Sequence, residues 1–439
     1  QVFAGASDAL TVIRANPDCE LVACKTWEEL NLKPGLLKAL YKTMKFQKPA
    51  KIQEAALPLG LRDPAENGIF QAKSGQGKTC AFSLIMLMRV NEALKHTQAV
   101  CVAPTYELAL QSARVCRKMG EGIGVSVLLA TSDKRSCPKF KKGEKCTDQI
   151  VIGTPGKINA LLKSKVIDGK KVGVFVLDEA DEMVKESGHC KDTQTIKKFM
   201  PQAQALLFSA SYEGNTYELS KTLCKRKDKQ GKPMRFNEIR IADVKDVLID
   251  EIAQFYIKTG GSSNEDETKM EALASIYGSL SVGQSIIFVE RKATADKLQL
   301  FMEGKSLACA KLHGGVDIEL REKLFTEFVE GKRSVLIATN ALARGVDVPG
   351  MSLVVNYDFP VNRDGTPAFE TYQHRIGRCG RFGRKGCAFT FVHSAKDQEL
   401  LDETADHFGC TVTEADADDP EELVELVKKA QDQAPASAS

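Results

Sequence analysis

The chain has 439 residues, enough for two or three domains with sizeable cores, which excludes a small scaffold stapled by disulfides or metals. Apolar residues make up 43% and charged residues 27%, a globular balance that excludes a disordered or fibrous chain. Lys+Arg number 61 against 58 Asp+Glu, a net charge of +3, so any nucleic-acid surface must be a local patch.

The apolar run Ala81–Met88 is broken by Ser83 and is far shorter than the roughly 20 residues of a membrane span, so no membrane insertion is expected. The 13 cysteines show no Cys-x-x-Cys spacing. Free or buried thiols in a reducing compartment are expected, without structural zinc. The chain begins at Gln1 with no apolar signal region, which points to a trimmed start.

In chain order, short runs of Val, Ile, Leu and Ala recur between longer mixed segments from Ile69 to Ser211: Ala99–Ala103, Ile150–Ile152, Val174–Leu177 and Ala205–Phe208. Such runs read as buried parallel strands, because a sheet covered on both faces needs no polar alternation. The same texture returns at Ser285–Val289, Val335–Ala338, Leu353–Val355 and Ala388–Val392. The expected fold class is α/β, with two parallel-sheet domains in tandem.

The organisation read from this pattern is an extension over 1–24, a first domain over 25–240, a second over 248–430 and a disordered tail over 431–439. The linker falls at about 238–248. The polar stretch Gly260–Glu267 reads as a solvated loop before a helical pattern that starts near Thr268.

The segment Phe70-Gln-Ala-Lys-Ser-Gly-Gln-Gly-Lys-Thr79 follows an apolar strand end and opens a helical run, Cys80–Val90. This is the context of a P-loop, although Ala72 replaces its first glycine. Backbone N–H groups at Ser74, Gly75, Gln76 and Gly77 would wrap phosphates, Lys78 would reach the β/γ oxygens, and the Thr79 hydroxyl would ligate magnesium. A Gly-rich loop alone also fits a plain turn. About a hundred residues on, the run Val174–Leu177 delivers Asp178-Glu-Ala-Asp181 at a strand end, where open α/β sheets place ligands. Asp178 then suits the Mg²⁺ shell, through water, and Glu179 suits the base that positions and deprotonates an attacking water.

At these residues the chain resembles the DEAD-box ATP-dependent RNA helicases, over about Trp27 to Val427. The resemblance implies two RecA-like P-loop NTPase domains, RNA-stimulated hydrolysis of ATP, and unwinding of short RNA duplexes or remodelling of RNA–protein particles. Gln53 matches the adenine-reading glutamine, Phe46 ahead of it is placed with it among the nucleotide-binding residues, and Trp27 falls where the family's adenine-stacking aromatic is expected. An amide side chain can satisfy both donor and acceptor on the adenine edge. Ser209-Ala-Ser211 resembles the family's Ser-Ala-Thr, which couples hydrolysis to strand separation together with Asp181. Pro104, Thr105, Thr154, Pro155 and Gly156 lie in segments that resemble RNA-backbone contacts, which bind without regard to sequence. Tyr106 and Lys157 stand where many members carry arginine.

In the second domain, Thr339-Asn-Ala-Leu-Ala-Arg-Gly-Val-Asp347 resembles the motif that touches both RNA and nucleotide, with Thr339 toward RNA and Gly345 and Asp347 toward the ribose. His374-Arg-Ile-Gly-Arg-Cys-Gly-Arg-Phe-Gly383 resembles the arginine motif, where His374 and Arg375 serve coupling and Arg378 and Arg381 serve as arginine fingers on the γ-phosphate. Such fingers are worth about 10³–10⁵ in rate.

Several peculiarities resemble the mRNA-export branch of the family, at the nuclear pore: Lys25–Leu37, Lys51–Leu59, Pro104-Thr-Tyr-Glu107, Ile318 and the lengthened stretch Asp358–Tyr372. That branch implies single-stranded RNA or mRNP as partner, with a pore activator, inositol hexakisphosphate and a nucleoporin, and a location in cytoplasm and nucleus. A monomer is expected. The alternatives are an ATP-gated RNA clamp with little unwinding, a translation-type helicase of the same family, and a DNA-directed ATPase.

Overall fold

The computed structural model describes residues 2–3, 10–15, 23–72, 75–133, 136–185, 188–212, 214–227, 233–241, 252–260, 264–280, 282–339, 351–362, 364–379 and 386–432. The chain divides into two compact units, Gln1–Ala242 and Asp243–Ser439. Among the described residues, no helix is long and apolar enough to cross a membrane.

The strands of the first unit are β1 (Val2–Phe3), β2 (Leu10–Ile13), β3 (Gly68–Gln71), β4 (Ala99–Val102), β5 (Val127–Ala130), β6 (Ile150–Gly153), β7 (Val174–Leu177), β8 (Gln204–Ser209), β9 (Arg226–Lys227), β10 (Pro233–Met234) and β11 (Asn237–Ile241). One sheet runs in the order β1-β2-β11-β3-β8-β7-β4-β6-β5, with β9 and β10 paired separately. It is parallel from β11 to β5, and β2 and β1 close one edge antiparallel.

Strands β3 to β8 are buried along their length, as their unbroken apolar runs require. Alternate side chains face opposite layers. Val100, Val102, Phe175 and Leu177 join Ile158, Leu161, Met183 and Ile196 of the helices Pro155–Lys163, Ala180–Val184 and Cys190–Phe199. On the other face Phe70 stacks on Phe208 with centroids 4.7 Å apart, and Phe82 of the helix Lys78–Arg89 packs on Phe208 at 5.5 Å. Each such buried side chain contributes roughly 1.5–3 kcal/mol.

Two expectations change here. Residues 238–241, expected within the linker, are sheet residues: Ile239 pairs with Phe70 on one side and Val12 on the other and is fully buried. One aliphatic clamped between two strands outweighs its charged neighbours. Residues 10–13, expected in the extension, complete that edge of the same sheet.

The second unit contains β12 (Ile252–Lys258), β13 (Gln284–Val289), β14 (Cys309–Leu312), β15 (Val335–Thr339), β16 (Met351–Asn356), β17 (Gly386–Val392) and β18 (Thr413–Glu414). They form a parallel sheet in the order β14-β15-β13-β16-β17-β12-β18. Apolar clusters fill both faces. Helix ends are chemically marked. Ser394 and Asp397 exchange side-chain and backbone hydrogen bonds to open the helix Ala395–Phe408, and Gly409 closes it at φ 66°. The helix Glu265–Ser279 begins inside the expected loop, and the helix Pro420–Asp432 runs two residues into the expected tail. Within the lengthened stretch, Val361 bridges to Pro367, and Thr366 donates through N and Oγ1 to Asp364 Oδ1, forming a tight reversal at Gly365.

Candidate active site

Strand register assembles the site. Gln71 pairs with Ser209, Leu207 with Leu177, Leu177 with Val102, and Val102 with Gly153. The carboxyl ends of β3, β8, β7, β4 and β6 therefore lie side by side. The residues that follow them, Ala72, Ala210, Asp178, Ala103 and Thr154, share one edge although they are distant in sequence.

At β3 the chain turns through Gly75 and Gly77, at φ 81° and 91°, into the helix Lys78–Arg89. A Cβ on Gly77 would lie 2.3 Å from Gln53 Nε2, so a side chain there would both strain the backbone and displace the glutamine. Gln53 is buried, with Oε1 accepting from Ala50 N at 2.9 Å and Nε2 donating to Gly77 O at 2.9 Å. One donor and one lone pair of its amide stay available for a ligand. Lys78 Nζ donates to Ala72 O at 2.6 Å from a buried position, and the Thr79 side chain is half-buried. Gln76 is half-buried and Gly75 exposed; Ser74 lies outside the described residues.

Trp27 departs from its expected role. Its ring is fully buried, with Nε1 donating to the carbonyl of Phe46 at 3.2 Å, so it offers no face for an adenine to stack on. It braces the segment that presents Phe46, whose own side chain is 38% exposed. The exposed ring is the one suited to stacking.

At β7, Asp178 Oδ1 accepts from Glu179 N at 3.1 Å, and Oδ2 accepts from the hydroxyl of Ser112 at 3.3 Å. Glu179 stands at φ 48° and starts the helix Ala180–Val184, and its buried Oε2 has no hydrogen-bond partner. An unpartnered buried carboxylate oxygen is costly unless a ligand completes it. Burial, and then the neighbouring Glu179 charge, push the Asp178 carboxyl upward, against the Lys78 ammonium and the Glu179 and Ser112 donors. This donor set, two adjacent buried carboxyls with the Thr79 hydroxyl on the same edge, fits a hard divalent cation such as magnesium. Beside it, Ser211 Oγ donates to Asp181 Oδ2 at 3.2 Å, and Ser211 N to Ser209 Oγ at 3.4 Å, all three residues being fully buried.

The other half of the edge is open. Thr105 precedes the helix Tyr106–Gly120, accepting from Leu108 N at 3.3 Å, with Pro104 buried before it. Thr154 precedes the helix Pro155–Lys163 without capping it, Pro155 is buried, and Gly156 is exposed with nothing within 4 Å of its Cβ position.

In the second unit Thr339 ends β15, and the helix Phe369–Ile376 carries His374 and Arg375. Arg375 Nη1 donates to Asn356 Oδ1 at 3.1 Å and to Asp358 O at 2.7 Å, fixing that helix to β16. Arg378 Nε donates to His374 O at 2.8 Å. Gly345, Asp347 and Arg381 lie outside the described residues. Sequence reasoning passed over Ser112, because its partner Asp178 is 66 residues away. It also passed over Lys269, which is buried in an ion pair with Asp358 at 3.3 Å.

Residues 50–219 match the family described as DEAD/DEAH box helicase, and residues 268–383 match the helicase conserved C-terminal domain. The chain is 40% identical over 422 residues to the ATP-dependent RNA helicase DBP5 of Eremothecium gossypii, covering 96% of this chain and 86% of that protein. The structure of S. cerevisiae Dbp5 bound to RNA and ADP BeF3 is 39% identical, with a TM-score of 0.84, over 93% of this chain and all of that one. A variant S. cerevisiae Dbp5 bound to Nup159, a variant Gle1, IP6 and ADP is 37% identical, with a TM-score of 0.63, over 92% of this chain and all of that one.

Proposed function

We propose, from the premise that this chain belongs to the DEAD-box ATP-dependent RNA helicase family, that it spends ATP to melt short RNA duplexes and remodel mRNPs during export through the nuclear pore. The observation that carries the catalytic part is the buried Asp178–Glu179 pair on the sheet edge shared with the P-loop, with Glu179 Oε2 left unpartnered.

The roles follow from the chemistry of each residue. Gly75, Gln76, Gly77 and Lys78 receive the phosphates, Gln53 reads the base, and Phe46 flanks it. Thr79 and, through water, Asp178 would hold magnesium, which when bound neutralises phosphate charge. Glu179 orients a water for attack and takes its proton. Arg378 and Arg381 serve as arginine fingers, and Gly345 and Asp347 contact the ribose. Pro104, Thr105, Thr154, Pro155, Gly156 and Thr339 hold the RNA backbone. Ser209, Ser211, Asp181, His374 and Arg375 relay the state of the nucleotide to RNA. Hydrolysis then releases the strand.

The export reading rests on likeness to Dbp5, which is solved with Nup159, Gle1 and IP6. Partners of that kind, a nucleoporin and an activator with inositol hexakisphosphate, are proposed here, at the pore between nucleus and cytoplasm.

The test is steady-state ATP hydrolysis with and without single-stranded RNA at fixed low salt, since phosphate contacts are screened. Strong stimulation by RNA, greater than by single-stranded DNA, is expected. Equal stimulation by both, or none even with a Gle1-type activator and inositol hexakisphosphate, would sink the reading.

A further inference from the structure

We propose that Ser112 is a positioning residue that links RNA contact to ATP hydrolysis within the first unit. The inference rests on the RNA-stimulated ATPase reading and adds to it the route by which one helix reaches both sites.

The helix Tyr106–Gly120 starts directly after Pro104 and Thr105, the segment proposed to hold RNA phosphate. Thr105 is locked to it by the hydrogen bond from Leu108 N at 3.3 Å. Seven residues on, about 10 Å along the axis at 1.5 Å per residue, Ser112 is fully buried and donates to Asp178 Oδ2 at 3.3 Å. Ala109 and Ala113, both fully buried, lie on the same side of the helix, and their small side chains let its backbone approach the sheet closely enough for a serine to reach the carboxylate.

The other Asp178 oxygen is held by Glu179 N at 3.1 Å, a backbone group of the same short segment. Among the described residues, the Ser112 bond is thus the one that ties the Asp178 carboxylate to a different element. A helix shifts as a rigid body, so a displacement imposed on Thr105 by RNA arrives at Ser112 and changes how the carboxylate is aimed. Asp178 immediately precedes Glu179, so its aim also sets that of the proposed base. Without the hydroxyl, Oδ2 keeps its burial and loses its link to the RNA-side helix.

The experiment compares wild type, Ser112→Ala and Ser112→Thr in the full chain. Basal and RNA-stimulated ATPase are measured over ranges of ATP and RNA, together with the thermal midpoint. In Ser112→Ala the RNA-stimulated kcat should fall about threefold to tenfold, the worth of one typical net hydrogen bond. The basal rate should fall less and the KM for ATP should stay close to wild type, while the thermal midpoint should drop by about a few degrees because Oδ2 is left buried without its donor. Ser112→Thr, which keeps the hydroxyl, should restore the ratio of stimulated to basal rate. A reciprocal readout is RNA affinity with and without a non-hydrolysable ATP analogue: the gain conferred by nucleotide should shrink in Ser112→Ala by a similar factor. Equal loss of basal and stimulated rates, or a lowered midpoint with both rates intact, would overturn the proposal. Wild type that shows no RNA stimulation would instead overturn the functional reading beneath it.

Discussion

The two halves of the first sheet's edge differ in how fully their polar groups are engaged. At the ends of β3, β7 and β8, Gln53 binds both Ala50 and Gly77, Lys78 holds Ala72 O, Asp178 has donors on both oxygens, and Ser211 bonds Asp181. At the ends of β4 and β6, Thr105 caps its helix, but Thr154 caps nothing and Gly156 stands exposed with open space before it. Chemistry at a fixed point requires groups oriented in advance, which suits the hydrogen-bonded half proposed to hold nucleotide. Reading a backbone of any sequence requires reachable donors, which suits the more open half proposed to hold RNA. On the hydrogen-bonded side the buried Glu179 Oε2 has no hydrogen-bond partner, as suits its proposed role of holding a water.

Substitutions at the hydrogen-bonded half should therefore be severe, and those at the open half mild and additive. Outside that edge, in the second unit, the largest effect is expected for Arg378→Ala, with kcat reduced by about 10³-fold or more and nucleotide affinity nearly kept. Single-turnover hydrolysis beside nucleotide titration checks it, and loss of affinity alone would contradict the finger role. Glu179→Gln follows, with turnover reduced about 10²–10⁴-fold while ATP and RNA binding persist; normal turnover would remove it as the base. Trp27→Ala should lower stability by about 3–5 kcal/mol in denaturant titration, because it empties a fully buried site. Phe46→Ala should leave stability near wild type and raise the KM for ATP, which separates the bracing ring from the presented one. Gln53→Ala should raise the KM for ATP roughly tenfold, as the part-buried bond to Gly77 O of the P-loop and the one from Ala50 N that holds the amide in place are lost. The smallest effect is expected for Thr154→Val, about two- to threefold weaker RNA binding, uniform across sequences and fading with salt. A marked change in sequence preference there would break the contrast.

Much of this was legible in the linear sequence because the physics involved is local. The apolar runs are strands since a doubly covered sheet excludes polar side chains, and each run lies on β4, β6, β7, β8, β13, β15, β16 or β17. Gly75 and Gly77 stand at positive φ in the turn that their spacing implies. Three features were not legible. Trp27 reads as a ligand aromatic until its indole is found buried against Phe46. Residues 10–13 and 238–241, four residues each, are too short for their β-branched and alternating character to place them in a sheet, and they join it by pairing across more than 220 residues. Ser112 is an unremarkable serine on a helix until the register of β4 and β7 sets Asp178 beside it.

The sequence by itself determined the α/β class, the P-loop and the acidic pair, since spacing, strand ends and glycine backbone freedom are properties of adjacent residues. Tertiary structure alone decided which side chains close the site, which aromatic faces outward, and which strand completes the sheet. Those outcomes depend on burial and on hydrogen bonds between residues far apart in the chain, and no local pattern encodes them.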